Sequence, residues 1–332
     1  MKNEWLIKQR KDKSRTMPIL SYPGAGLVGI NVRELVTSSD NQVKAMKAIA
    51  EKCPTSAAVN LMDLSVEAEA FGAEIRFFDQ EIPTVIGKLM QTKLNAENLA
   101  VPPVGQKRDG LYLQAVFAAS KLITDRPIFA GVIGPFSLAG RLMGMTDIMM
   151  DCYDDPDKVH LLLRKTSQYL VEYIKACKQA GAGGILMAEP AAGLLSPKLC
   201  SEFSSDYIKE IFDFVRGDDL VLVYHNCGNV LPLARSIASV NADIYHFGNA
   251  VDLEEMIKRM PKERLIMGNL DSYGVLKNGT PESVGKATRE LLERCGKYEN
   301  FVISSGCDIP PSTPWDNLMA YFQAIANFYK TN

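Results

Sequence analysis

The sequence predicts an α/β fold in which eight parallel strands close into a (β/α)8 barrel. Three observations carry this: short, nearly uniformly apolar runs recur along the 332 residues, long amphipathic segments separate them, and helix-start signals lie between the runs. Eight runs read as strands: Ile19–Tyr22, Ala57–Leu61, Ile128–Val132, Gly184–Ala188, Leu220–Tyr224, Asp243–Phe247, Leu265–Gly268 and Phe301–Ser304. Parallel strands buried on both faces produce such runs. Their shortness and flanking Gly and Pro separate them from buried helix.

The helices announce their starts. Asp155-Pro156, Ser196-Pro197, Thr280-Pro281 and Thr313-Pro314 each place an N-cap oxygen before a proline suited to the first helical position. After Pro156, Val159, Leu163, Leu170, Ile174 and Cys177 share a face, and Gly181 supplies the stop. Phe203, Tyr207, Ile211 and Val215 repeat the pattern after Ser196, and Leu318, Phe322, Ile325 and Phe328 do so in the last helix. Strand–helix alternation gives a parallel sheet with right-handed crossovers. An open doubly wound sheet is the second architecture it allows. An N-terminal extension precedes the first strand. Residues 74–87 read as an irregular hairpin, and the polar stretch 89–108, with Pro102-Pro103, as an excursion over the C-terminal mouth. The chain, 1–332, is read as one barrel domain.

Composition removes several classes of function. With 47% hydrophobic and 23% charged residues and a net charge of -2, the chain is neither disordered nor built for a polyanion. There is no basic stripe for nucleic acid, and no apolar stretch approaches the roughly 18 residues of a membrane span. The charged N-terminus lacks an apolar h-region, so no secretory signal is read. Seven scattered cysteines fit a reducing, cytoplasmic setting better than a disulfide framework.

Chemistry in a barrel gathers at the C-terminal ends of the strands. His225-Asn226-Cys227-Gly228 follows the apolar run ending at Tyr224, and Ser305-Gly306-Cys307-Asp308 follows the last run. Imidazole nitrogen and thiolate sulfur are ligands zinc prefers, and three protein ligands leave a fourth position open, as in catalytic zinc sites. His225, Cys227 and Cys307 are therefore the candidate metal ligands. Cys53, Cys152, Cys177, Cys200 and Cys295 sit on helical patterns and read as structural. Glu189, ahead of Pro190, and Asp63 are the candidate catalytic carboxylates, Glu189 as ligand, general acid/base or orienting group. Tyr22, Asn60, Glu67, His246 and Asn269 are candidate substrate contacts. His246, inside a strand, can equally be a hydrogen-bonded core histidine. His160 lies in a helix and reads as solvated or capped. Glu67 and Glu69 do not share a helical face, so at most one points inward. Gly24-Ala25-Gly26 with Gly29 could cradle a phosphate, although Gly-rich turns of this kind are common. Met143, Met145, Met149 and Met150 read as core or as the lining of an apolar cavity.

These segments resemble the uroporphyrinogen decarboxylase superfamily over roughly residues 15–330. The segments are Gly134-Pro135-Phe136-Ser137-Leu138-Ala139-Gly140, Asp155-Pro156-Asp157-Lys158-Val159, Leu195-Ser196-Pro197, His225-Asn226-Cys227-Gly228 and Gly306-Cys307-Asp308-Ile309-Pro310-Pro311. The last two are similar to the zinc-dependent corrinoid methyltransferases of the methylcobamide:coenzyme M type. That resemblance implies a (β/α)8 barrel, zinc on His225, Cys227 and Cys307, and a corrinoid (cobalamin) carried by a partner protein docked over the mouth. It also implies methyl transfer to or from a small substrate, either a thiol acceptor or a methyl ether or methylamine donor. Asp63 falls where the superfamily often keeps a mouth-facing aspartate. Two features depart from the pattern. The arginine pair with which the decarboxylases hold substrate carboxylates is absent, only Arg33 being near. The Asp-Glu pair after the sixth strand is replaced by His246-Phe247-Gly248-Asn249-Ala250-Val251-Asp252, so an extra ligand would have to come from Glu189 or His246. The alternative is a metal-free decarboxylase-like enzyme acting on a tetrapyrrole carboxylate. A third reading is a corrinoid- or small-molecule-binding protein with structural cysteines.

Overall fold

A computed structural model describes residues 2–90 and 93–331. Seven of its strands form one curled parallel sheet in chain order. They are β1 (Ala58–Val59), β4 (Ile128–Ile133), β5 (Gly184–Ala188), β6 (Val221–Asn226), β7 (Ile244–Phe247), β8 (Leu265–Leu270) and β9 (Phe301–Ser305). Helices supply the crossovers that parallel neighbours require. The strands β2 (Glu74–Arg76) and β3 (Thr84–Ile86) pair antiparallel as a separate hairpin, inside the stretch expected to form one.

Burial on both faces sorts the strand residues by parity. One side of the sheet packs on the helices through residues such as Leu222, Tyr224, Tyr245 and Ile266. The other side forms a second cluster with a residue from every strand: Val59, Phe129, Leu186, Val223, Ile244, Met267 and Val302. Trp5, Met17 and Ile19 complete this inner cluster. Trp5 comes from the first helix, Lys2–Lys11, and its ring lies 5.2 Å from that of Phe129 while its Nε1 donates to the Ser56 carbonyl (2.9 Å).

The expected first strand, at 19–22, is not a strand. Pro18 lacks the N–H a ladder needs, and hydroxyl groups replace the missing bonds. On one side Thr16 makes a single parallel bridge to Thr55, with Ser56 N–H donating to the Thr16 carbonyl (2.9 Å). On the other, Thr16 Oγ1 donates to the Ile303 carbonyl (2.8 Å), Ser304 Oγ to the Met17 carbonyl (2.7 Å), and Ile19 N–H to Ser305 Oγ (2.9 Å). The extended segment is thus bonded to both edges of the seven-stranded sheet.

Three of the four cap signals act as read: Asp155, Ser196 and Thr280 side chains accept from Lys158, Leu199 and Ser283 N–H. Thr313 does not. Its hydroxyl donates to the Pro310 carbonyl, and the last helix begins at Trp315. The helix expected after Ser196 is broken into Pro197–Cys200, a wider π turn Ser201–Ser205, and Asp206–Val215. Of the stretch 89–108, Gln91 and Thr92 lie outside the described residues. Leu89 and Met90 N–H donate to the Leu142 carbonyl, and Lys165 Nζ binds the carbonyls of Ala96, Glu97 and Leu99, so these described parts run along the outer helices.

Trp5 is 7% exposed and fills the inner cluster. Trp5→Ala is therefore expected to lower unfolding free energy by about 3 kcal/mol, read from urea unfolding followed by circular dichroism.

Candidate metal centre and mouth cavity

Strand alternation delivers His225 to the inner side, two residues beyond Val223. The turn after it is braced by Asn226, whose Oδ1 accepts from Gly228 N–H (2.8 Å) and whose Nδ2 donates to the Glu189 carbonyl (2.5 Å). Cys227 is thereby held at the mouth. Gly248 makes this possible, because a Cβ there would lie 2.5 Å from Cys227 Cα. Cys307 arrives from the end of β9. The Ser272 hydroxyl clamps its backbone, accepting from Cys307 N–H (3.0 Å) and donating to Cys307 O (2.9 Å).

The donor atoms of His225, Cys227 and Cys307 all lie within 4.8 Å of one another. Cys307 Sγ is 3.7 Å from His225 Nε2. Tetrahedral zinc with bonds of about 2.3 Å to sulfur and about 2.0 Å to nitrogen holds such donors about 3.5 Å apart, so the set fits the ion. A hydrogen bond from Cys307 and the nearby His225 pull the Cys227 thiol well below its usual range, while that bond and burial push Cys307 up. The pair therefore favours one thiolate already. The five cysteines read as structural are all buried, and burial drives their thiols upward.

A cavity of about 210 Å³ opens at the triad, walled by Met62, Leu64, Ile82 and Pro83. Ile82 and Pro83 belong to the loop of the β2–β3 hairpin, so it is the hairpin that reaches the mouth. Two ionisable side chains also line it. Arg141 lies close enough to sense Asp63 and Glu67, but makes no ion pair among the described residues. Asp308 accepts one bond from Ser21 Oγ (3.4 Å), its other oxygen has no partner among the described residues, and burial pushes its carboxyl up.

Both carboxylates expected to be catalytic are held elsewhere. Ala188 faces inward, so Glu189 faces outward. Its carboxylate caps the helix Pro135–Met143, accepting from Phe136 N–H (3.0 Å) and Ser137 N–H (2.6 Å), and from the Ser137 hydroxyl. Burial pushes its pKa to about 7. This explains Gly134 in the Gly134-Pro135-Phe136-Ser137 segment: a Cβ there would lie 2.4 Å from the Glu189 carboxylate. Asp63 is saturated by Arg108 Nη1 (2.5 Å), Tyr112 OH (2.9 Å), Ser65 N–H (3.0 Å) and Ser65 Oγ (2.5 Å). It does not line the cavity.

The expected substrate contacts are all buried and lie off the cavity wall. Tyr22 OH and Asn60 Oδ1 have no partner among the described residues. Glu67 accepts from Ile133 N–H (2.9 Å), and burial raises it to about 7. Asn269 Nδ2 donates to the Gly248 and Val251 carbonyls (3.0 and 2.9 Å), fixing the loop beneath Cys227. His246 lies behind His225, with Nδ1 2.8 Å from His225 Nδ1 and Nε2 2.8 Å from Ser304 Oγ. Burial and His225 hold it well below the usual histidine range, so it is neutral. His160 is half-buried, stacked on Phe203 (4.7 Å) and bonded to Tyr207 OH (2.8 Å). Gly24 packs against Ala45 and Ile49, and Gly29 (φ +70°) ends a five-residue helix, so these glycines serve packing and capping. Arg33 pairs with Asp79 at an exposed edge. Arg108, Arg141, Ser304 and Gly248 carried no motif in the sequence. Only the parity of β9 could have placed Ser304.

Gly248→Ala is expected to displace Cys227 and to lower zinc uptake at least tenfold, measured by chelator competition. Gly26→Ala, where a Cβ meets nothing within 4 Å, is expected to leave uptake unchanged.

The uroporphyrinogen decarboxylase (URO-D) family matches residues 20–328. The methylcobamide:CoM methyltransferase MtbA of Methanosarcina acetivorans is 29% identical over 271 residues, covering 80% of this chain and 78% of the relative. The uroporphyrinogen decarboxylase of Coxiella burnetii is 28% identical over 289 residues, covering 83% and 78%. Among solved structures, a methyltransferase from Methanosarcina mazei superposes with a TM-score of 0.89 at 25% identity, covering 99% of both chains. The match over residues 20–328, together with these relatives, makes this chain a member of the uroporphyrinogen decarboxylase family.

Proposed function

We propose that this chain is a zinc-dependent methyltransferase that moves a methyl group between a corrinoid carried by a partner protein and a small substrate. The carrying observation is the convergence of His225, Cys227 and Cys307 at the floor of one cavity. The methyltransferase relatives support the reaction class. Zinc bound by these three residues supplies a Lewis acid with an open position, at which a coordinating thiol is deprotonated. The rest falls to the chain itself. Asn226 and Ser272 hold the two cysteine-bearing turns. Met62, Leu64, Ile82 and Pro83 keep the approach narrow and apolar. Arg141 offers a cation without an ion-pair partner among the described residues. A partly buried cation left unpaired is unfavourable, which favours a substrate bearing an anionic group. A thiol acceptor with an anionic tail fits this better than a cationic amine donor.

The single barrel domain over 1–332, the corrinoid protein docked at the mouth and a cytoplasmic setting belong to the same proposal. No helix among the described residues is long and apolar enough to cross a membrane. The tetrapyrrole reading has less support. A cavity of about 210 Å³ is below the roughly 300–1,000 Å³ of drug-sized ligand sites, and Arg141 is the one arginine on its described wall.

About one zinc per chain is expected by elemental analysis, lost in Cys227→Ala and Cys307→Ala together with methyl transfer. Undiminished transfer by a zinc-free variant would sink the mechanism. Arg141→Gln is expected to raise KM for 2-mercaptoethanesulfonate about tenfold or more, as loss of a charged hydrogen bond implies. The KM for neutral 2-mercaptoethanol should barely move.

A further inference from the structure

We infer that His246 and Ser304 are positioning residues that set the tautomer of His225, keeping its Nε2 unprotonated and available as a metal donor. The inference rests on the metal reading of the triad, but its hydrogen-bond logic stands on the chain alone.

The chain of contacts runs His225 Nδ1 to His246 Nδ1 (2.8 Å), His246 Nε2 to Ser304 Oγ (2.8 Å), and Ser304 Oγ to the Met17 carbonyl (2.7 Å). Ring protons are assigned from such networks, and here the last link decides the direction. A carbonyl can only accept, so the single Ser304 proton goes to Met17. Ser304 Oγ must then accept from His246 Nε2–H. With one ring proton, His246 presents a bare Nδ1, which accepts from His225 Nδ1–H. His225 is left with a lone pair on Nε2, the atom 3.7 Å from Cys307 Sγ. A second acceptor points the same way, for the His246 carbonyl lies 3.3 Å from His225 Nδ1 and cannot donate to it.

The reverse arrangement would turn the Ser304 proton toward His246 and leave the buried Met17 carbonyl without it. Leaving a buried backbone carbonyl unpaired is unfavourable. His246 and Ser304 are fully buried and absent from the cavity wall, so neither can touch substrate. Ligating histidines commonly donate their second N–H to a carboxylate, carbonyl or water. Here a neutral histidine takes that place and passes the constraint to the backbone of the segment that joins the two sheet edges.

With only three histidines in the chain, the tautomers can be read directly from a 15N-histidine-labelled sample, assigned with His160→Gln and His246→Gln. In the metal-free chain His225 is expected to carry its proton on Nδ1 and His246 on Nε2, two opposite tautomers in contact. A proton on His225 Nε2 would overturn the inference whatever the zinc content. In chelator competition, His246→Phe is expected to weaken zinc binding tenfold to about a hundredfold. His246→Gln, with one acceptor and one donor, should restore most of it. Ser304→Ala should bring a mixed His225 tautomer in the same spectra. Unchanged zinc affinity in His246→Phe, in a variant with unaltered circular dichroism, would also overturn it. A wild-type chain with the expected tautomers but no zinc binding would overturn the metal reading and, with it, the assigned purpose of the relay.

Discussion

The constraint on which the site depends is the two-residue alternation of strands buried on both faces. Every inner position must satisfy a packed interior, and every outer one a layer of helices. Ala188, His225, His246 and Met267 stand in one register row across β5, β6, β7 and β8. The row is apolar at its ends and imidazole at its centre. Placing two imidazole rings side by side in an apolar interior is tolerable only because each ring nitrogen facing protein has a partner. His225 Nε2, beside Cys307 Sγ, is the nitrogen of the pair turned to the cavity. Closure of the sheet and preparation of the site are therefore one problem, solved by the same hydroxyls that bind the 16–21 segment.

That coupling explains why the run at 19–22 forms no strand while the other apolar runs do. An apolar run flanked by Gly or Pro signals a buried extended segment, and the runs now in β4 to β9 met that description. The run at 19–22 met it too. Whether an extended segment joins a ladder depends on its donors, and Pro18 had already removed one. The segment stays extended and buried, held by Thr16, Ser304 and Ser305. Side-chain hydroxyls acting as ladder partners leave no trace in hydropathy.

The site divides along a similar line. Cysteine and histidine at two strand ends were legible because few other arrangements put those ligands beside glycine turns. The carboxylates were legible as residue types and not as directions. Glu189 follows an inward Ala188, so parity alone would have turned it outward, toward the helix terminus whose N–H groups it caps. Asp63 is different, since its fate is decided by Arg108 and Tyr112, distant in sequence. No local pattern predicts such a partner. Glu69 also binds Arg108, so that arginine is held by two carboxylates and gives the cavity no free charge.

Arg141 is thereby set apart. Both arginines lie close to Asp63, but only Arg108 is bonded to it. Asp308 and Glu67 are pushed toward their neutral forms by burial, so neither supplies a firm counter-charge. Near His225, Cys227 and Cys307 the balance therefore leaves one cation facing a small apolar space. Under the function proposed above, a site arranged this way would select at both ends of a short molecule. Soft donors at one end favour sulfur, and a guanidinium at the other favours an anion with planar or tetrahedral oxygens. A bulky tetrapyrrole uses neither end well, because its carboxylates are many and spread apart.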